Sequence, residues 1–348
     1  MQYLSASRIK TLQTCSWQYY ASYILNLKDE GNPGSKMGSL IHVIYECLGN
    51  PRHKKHYDDL LSSQKLDGSK VVKRYLERGL KKNGLDESYL PLVDTMLIEG
   101  INYDFFGQAD GEPTESFSEL NFDIQKKEGG KNYRIMGFID KLFLYKEKCA
   151  VKIRDFKSSK RQFEGKDVDD NIQDLMYRLA VKHLYPEYLR QKMEFVFLQF
   201  DCKEAGVVKT PDVGDEELEG FEHFLTEIQQ LVDNFDERAA KSNLAYDKGY
   251  PAKEDGFSGR LVCGRADRPD ELKKDLTVKW SCPQKWASEY WTVLEKDRVI
   301  KTFKTEKEAK EFAGERKIKR MLFRGCPAFK FLEYNQVFIQ NWLDKYGE

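Results

Sequence analysis

The segment that most limits the fold lies between residues 117 and 156. Three β-prone runs follow one another there, at 117–125, 133–144 and 149–156. They are separated only by short segments, one holding the pair Gly129-Gly130 and the other a charged turn at 146–148. Connections that short join neighbouring antiparallel strands, because a parallel pair needs a crossover of about a dozen residues. The middle of the chain therefore reads as an antiparallel meander. A fourth apolar run, EFVFLQF at 194–200, suits a buried strand. Helical spacing surrounds these strands. It appears at 4–27 (Ile9, Leu12, Tyr20, Ile24, with Ser5 or Ser7 as cap), at 36–49 (Met37, Leu40, Ile41, Ile44, Tyr45, Leu48) and at 170–185. Two more helices are expected over 68–107, split near Asn83-Gly84, and a strongly amphipathic one over 218–238.

After residue 245 the chain changes character. The stretch 246–259 reads as a Gly-, Asp- and Lys-rich linker, 286–303 as a hairpin turning at 296–298, 305–322 as a charged helix and 334–346 as a last short helix. The expected division is a core of 1–244 and a C-terminal module of 245–348. Within the core, 1–110 is helical, 111–205 holds the sheet and 218–238 is the long helix. The 348 residues carry 57 Lys+Arg and 57 Asp+Glu, so no whole-molecule positive field draws the chain to a polyanion, although a local basic face remains open. At 40% hydrophobic residues the chain can fill a core. Seven unpaired-looking cysteines, no secretory leader and no long apolar run suggest a soluble, cytoplasmic setting without a membrane partner.

The chemistry concentrates in Gly137-Phe-Ile-Asp140 and Lys152-Ile-Arg-Asp155-Phe-Lys157. Side chains two apart on a strand share a face, so Asp155 and Lys157 point one way and Phe156 the other. If the strands pair, Asp140 and Asp155 converge, and two close carboxylates call for a cation between them. An all-oxygen set suits Mg2+ or Mn2+, which polarises a phosphoryl oxygen and acidifies water. A plainer reading is also open, since acids and lysines are common at the surface ends of strands. Further residues in chain order are His42 on the helix with Gly38, Glu119 in the first strand (with Glu115 as a rival), and Gln173 and Tyr177 one turn apart on one helix face.

That order resembles the RecB-like branch of the PD-(D/E)XK nuclease superfamily, which includes AddB-type and CRISPR adaptation nucleases. The shared features are G-x-x-x-H, an acid, G-x-x-D, D-x-K and Q-x-x-x-Y, preceded by Leu4-Ser-Ala-Ser-Arg8…Cys15…Tyr19-Tyr20, over roughly residues 4–200. The resemblance implies an α/β (α+β) fold with a central mixed β-sheet flanked by helices, a restriction-endonuclease-like core with a helical N-terminal region and a small C-terminal module. It implies metal ligation by His42, Asp140, Asp155 and the Phe156 carbonyl, and Lys157 as the residue that positions water. Gln173 and Tyr177 would support the motif or touch DNA, with Glu119 as an auxiliary acid. The activity implied is metal-dependent hydrolysis of DNA phosphodiesters, as an exonuclease or end-processing enzyme in recombination, repair or replication. Partners would be single-stranded DNA or duplex ends and a helicase or recombinase. The alternatives are a catalytically inactive DNA-binding scaffold subunit of a nuclease–helicase complex, and an RNA-directed hydrolase of the same fold.

Several members of the family hold a 4Fe–4S cluster through one upstream and three closely spaced downstream cysteines. Here Cys15 stands upstream, but Cys263, Cys282 and Cys326 are widely spaced, which favours isolated thiols over a cluster, although folding could still bring them together. Cys282 and Cys326 each precede a proline. Lys160 and Arg161 extend a positive edge beyond Lys157, either to hold phosphates or as a solvated turn. Lys317, Lys319, Arg320 and Arg324 offer a second such face on or after the charged helix. Trp286, Tyr290 and Trp291 either stack bases or pack within the tail module.

Overall fold

The structure, a computed structural model, describes residues 1–27, 29, 31–248, 263, 264, 266, 268–271 and 281–347. Most of the expected linker at 246–259 thus lies outside the described residues. The chain divides into two compact units. One comprises Met1–Ala6 and Gly31–Gln230, the other Ser7–Glu30 and Leu231–Glu348. This differs from a single cut at residue 244, because residues 7–30 group with the C-terminal part of the chain. Sequence proximity had assigned them to the core.

The chain opens with α1 (Ala6–Thr14) and α2 (Ser16–Tyr19), the latter continuing into a wider π-type turn at Tyr20–Ile24. The helix expected over 4–27 is therefore interrupted. Cys15 is extended, with φ −158° and ψ 110°, and separates the two pieces. Leu4 is not helical either. In the first unit it forms a parallel bridge to Ile135, with its N–H donating to the Arg134 carbonyl at 2.7 Å.

The first unit continues with α3 (Pro33–Gly49), α4 (Lys54–Ser63), α5 (Lys70–Lys82) and α6 (Leu90–Asn102). Asn32 caps α3 by accepting from the Ser35 N–H, and Pro33 occupies its first turn. Helix α4 was not expected from the sequence; only Tyr57 and Leu60 are buried on it. The apolar faces of α3 to α6 build one core with Phe156 and Val196 from the sheet and Leu198 just after its fourth strand. Strands β1 (Glu115–Glu128), β2 (Lys131–Tyr145), β3 (Ala150–Lys157), β4 (Arg190–Phe197) and β5 (Val207–Lys209) form a sheet in sequential order. The first three make the expected antiparallel meander, β4 joins β3 in parallel and β5 is antiparallel to β4. The short α7 (Lys166–Asp169) and then α8 (Ile172–Leu184) make the crossover between β3 and β4 that a parallel pair requires. The sheet is thus mixed and flanked by helices. Helix α9 (Asp215–Asp233) follows.

In the second unit, β6 (Ser288–Glu295), β7 (Arg298–Phe303) and β8 (Lys317–Phe323) form an antiparallel sheet in the order β7-β6-β8. Between β7 and β8 lies α10 (Glu306–Ala313), started by a Thr305/Glu308 capping box. The helix expected over 305–322 thus ends early. Gly314, at φ +57°, stops it, and Lys317–Phe323 pairs with β6 instead. Helix α11 (Glu333–Tyr346) closes the chain.

Candidate active site

The antiparallel ladder between β2 and β3 runs as far as Lys141↔Arg154. One step further, Asp140 and Asp155 stand opposite each other where the strands have parted. The ladder between β1 and β2 is also interrupted there: Ser118↔Lys141 and Leu120↔Ile139 are paired, but Glu119 is not. Glu119 has φ +50°, a left-handed conformation that is unfavourable for a residue with a side chain. That kink turns its carboxylate toward α3. His42 Nδ1 lies 3.3 Å from Glu119 Oε1 and 3.3 Å from Asp140 Oδ1. The ligand atoms of His42, Glu119 and Asp140 all lie within 4.8 Å of one another.

Two glycines of the motifs make this approach feasible. A Cβ on Gly38 would stand 2.6 Å from Ser158 Oγ, so glycine lets α3 pass close to the chain leaving β3. A Cβ on Gly137 would stand 2.7 Å from Cζ of Phe122. Phe122 can therefore lie across β2 and meet Tyr177 edge-on, with ring centroids 6.1 Å apart.

Asp140 is buried, and its Oδ2 accepts the Phe156 N–H at 2.7 Å. Burial, followed by the charge of Asp155, pushes its carboxyl up to about 6, against the opposing pull of His42. Burial alone would disfavour charge on His42, but Asp140, Glu119 and Asp155 outweigh it and raise the imidazole to about 11.

Asp155 anchors a second set of contacts. Its Oδ1 accepts from Gln173 Nε2 at 2.6 Å and from the Tyr177 hydroxyl at 3.3 Å. Its Oδ2 is buried, accepts no well-aligned hydrogen bond, and pairs with Lys157 Nζ at 2.6 Å. Lys157 Nζ also donates to Gln173 Oε1 at 2.7 Å, and Gln173 Nε2 donates to the Tyr177 oxygen at 2.7 Å. Asn171 caps α8 through the N–H groups of Gln173 and Asp174, which fixes Gln173 at the helix start. Phe156, between Asp155 and Lys157, points into the core against Tyr45.

Two cavities adjoin these residues. One, of about 400 Å³, is lined by Gly38, His42, Glu119 and Ser158. The other, of about 620 Å³, is lined by Phe156, Lys157, Ser158, Lys160 and Gln199. The structure thus brings His42, Glu119, Asp140, Asp155, Lys157, Gln173 and Tyr177 together, with Lys160 on the rim. Arg161 is exposed, its main chain turned onto Ser159. Glu115 begins β1 opposite Leu144, four residues before Glu119. The nitrogen and oxygen donors of His42, Glu119 and Asp140, with the Asp155 carboxylate close enough to act on the charge of both His42 and Asp140, fit a hard divalent cation.

Sequence reading missed the buried charges on the strands that carry these acids. Lys141, adjacent to Asp140, donates to Ser118 Oγ at 2.8 Å, and burial lowers its ammonium to about 7. Arg154, fully buried, donates to Glu194 Oε1 at 2.7 Å and to the carbonyls of Tyr103 and Asp104. The only signal was their place on strands otherwise filled with apolar residues.

In the second unit, Cys15, Cys263, Cys282 and Cys326 line one cavity with Trp17, Lys285 and Phe329. Burial pushes the Cys282 and Cys326 thiols up to about 12, and the other thiols of the set add to the rise. The expected isolation of these cysteines is therefore corrected: widely spaced in sequence, they meet in space. Cys282-Pro283 and Cys326-Pro327 open the same kind of turn. The Lys285 N–H donates to the Cys282 carbonyl at 3.1 Å, and the Phe329 N–H to the Cys326 carbonyl at 2.9 Å. Four soft thiols lining one cavity are a donor set for zinc or an iron–sulfur cluster rather than for a hard ion. Trp286, Tyr290 and Trp291 are all buried within this unit, which leaves no face for stacking bases. Lys317, Lys319 and Arg320 lie on β8 rather than on a helix; Arg320 packs on Tyr346 and faces Glu289 and Glu306.

No helix among the described residues is long and apolar enough to cross a membrane. No curated protein matches the chain. A family model described as the PD-(D/E)XK nuclease superfamily matches residues 3–248, which contain His42, Glu119, Asp140, Asp155, Lys157, Gln173 and Tyr177 but not Cys263, Cys282 or Cys326. The parted strands bearing Asp140 and Asp155, the lysine two residues on and the family match agree, and the chain belongs to the PD-(D/E)XK nuclease superfamily.

Proposed function

We propose that the chain is a deoxyribonuclease of the RecB-like branch, hydrolysing phosphodiesters at DNA ends with Mg2+ or Mn2+, and that its second unit holds a 4Fe–4S cluster. The observation that carries the first part is the placement of Asp155 and Lys157. Asp155 sits opposite Asp140 at the end of the ladder, paired with Lys157 at 2.6 Å. His42, Glu119, Asp140 and Asp155 would hold the divalent cation, with the Phe156 carbonyl as a further oxygen. The cation, when bound, polarises the scissile phosphoryl group and acidifies water.

The chain's own residues do the rest. Lys157, held by Asp155 and Gln173, presents its ammonium to the cavity. There it orients the attacking water and offsets charge gathering on the phosphoryl oxygens. Tyr177 and Gln173 hold Asp155 against rotation, so its carboxylate keeps one direction. Ser158 and Lys160, on the cavity wall, supply donors for phosphates flanking the cut. Cys15, Cys263, Cys282 and Cys326 would ligate the cluster, whose part in this reading is to tie the second unit together.

The test is digestion of linear single- and double-stranded DNA, and of matched RNA, in Mg2+ or Mn2+. Asp155→Ala and Lys157→Ala are expected to cut at least a hundredfold more slowly, on the scale of losing a key electrostatic group, with DNA binding retained. Undiminished cutting by both variants would sink the assignment, and a preference for RNA would overturn the choice of substrate.

A further inference from the structure

We infer that Lys285 is the positioning residue of the four-cysteine site: it pins the Cys263 segment to the Cys282 turn and sets a buried positive charge beside the thiols. This rests on the reading of those cysteines as cluster ligands. Lysine is almost never fully buried unless its ammonium is partnered, yet Lys285 is 1% exposed. Its Nζ donates to the carbonyls of Gly264, at 3.2 Å, and Ala266, at 2.8 Å, just downstream of Cys263. Its own N–H closes the Cys282 turn. The ammonium also lies 4.5 Å from the ring centroid of Phe329, in the Cys326 turn.

The neighbours of Lys285 complete the frame. Asn335, fully buried, donates to the carbonyls of Lys285 and Phe329 at 3.0 Å each and accepts the Ala287 N–H at 2.7 Å. That joins the Cys282 turn to the Cys326 turn. Gln284 Nε2 donates to Ser22 Oγ and to the Leu27 carbonyl, joining the Cys282 turn to the segment that begins at Cys15. All four cysteine-bearing segments are therefore tied at Gln284-Lys285, and only Lys285 among these ties brings a charge. A cluster held by four thiolates carries net negative charge, and nearby charge is one of the factors that set its potential and its retention.

The experiment compares iron and sulfide content, the rate of iron loss to a chelator and the reduction potential in the full-length protein. The variants are Lys285→Met, Lys285→Arg and Asn335→Ala. Lys285→Met is expected to lose iron about tenfold faster, on the scale of lost outer-shell partners, and to shift the potential negative. Lys285→Arg should restore the potential. Asn335→Ala should speed iron loss and leave the potential in place, which separates the clamp from the charge. If Lys285→Met yields no folded protein, Lys285→Gln carries the same comparison. Wild-type protein without iron would overturn the cluster reading and this inference with it. A cluster in the wild type, with unchanged potential and iron loss in the uncharged variant, would overturn the role of Lys285 alone.

Discussion

Burial and partners decide what each carboxylate of the first unit does. Asp140 is raised by burial and by Asp155, whereas Glu222 on α9 goes the other way. Burial would raise Glu222, but hydrogen bonds from Lys126 and Lys131, at 2.7 Å each, and from Tyr133, at 2.5 Å, outweigh it and bring it down to about 2. A carboxyl whose folded value lies below its ordinary 4.5 stabilises the fold above that pH, and the contribution fades as pH falls toward about 2. Urea unfolding of wild type and Glu222→Gln should therefore differ most at neutral pH and converge below about pH 4.5. A gap that persists to the acid limit would assign Glu222 a packing role only. At this scale alternation along β3 was legible: Asp155 and Lys157 share a face and Phe156 enters the core. Arg154 was not, because its partners Glu194, Tyr103 and Asp104 come from elements whose positions no local pattern reveals.

The elements follow local chemistry where short connections leave one solution. The Gly129-Gly130 turn and the turn at 146–148 forced β1 to β3 into a meander, and the structure has it. Local chemistry misled where charge density mimicked a helix, at β8, and where an extended Cys15 interrupted a helical pattern. The kink at Glu119 was illegible, since nothing in Ser118-Glu-Leu marks a left-handed residue. The kink yields a prediction of its own. Glycine suits φ +50°, so Glu119→Gly should shift the thermal midpoint by no more than about 2–4 °C, less than 1 kcal/mol in a unit of this size. Mn2+ binding, followed calorimetrically, should nevertheless weaken by about tenfold or more. Unchanged affinity in Glu119→Gly and in Glu119→Gln would exclude Glu119 from the metal set and leave the kink unexplained.

At the scale of the whole molecule, what sequence order hid was convergence: Cys15 and Cys326 stand at opposite ends of the chain yet line one cavity. Charge was hidden in the same way, because 57 basic residues cancel 57 acidic ones. A neutral molecule has no broad field to hold DNA, so the salt dependence of binding should count only the cations that touch phosphate. Each such contact contributes about 0.7–0.9 to the slope of log affinity against log salt. Lys160 and Arg161 are exposed where the chain leaves the β3 edge that bears Lys157, and Lys160 lines the larger cavity there. In an Asp155→Ala background that binds without cutting, replacing both with alanine should lower the slope by about 1.5 and weaken single-stranded DNA of any sequence alike. An unchanged slope would move the phosphate path away from this edge. The exposed Lys317, Lys319 and Arg324 would then be the next cations to remove, and the same measurement, repeated on them, decides between the two faces.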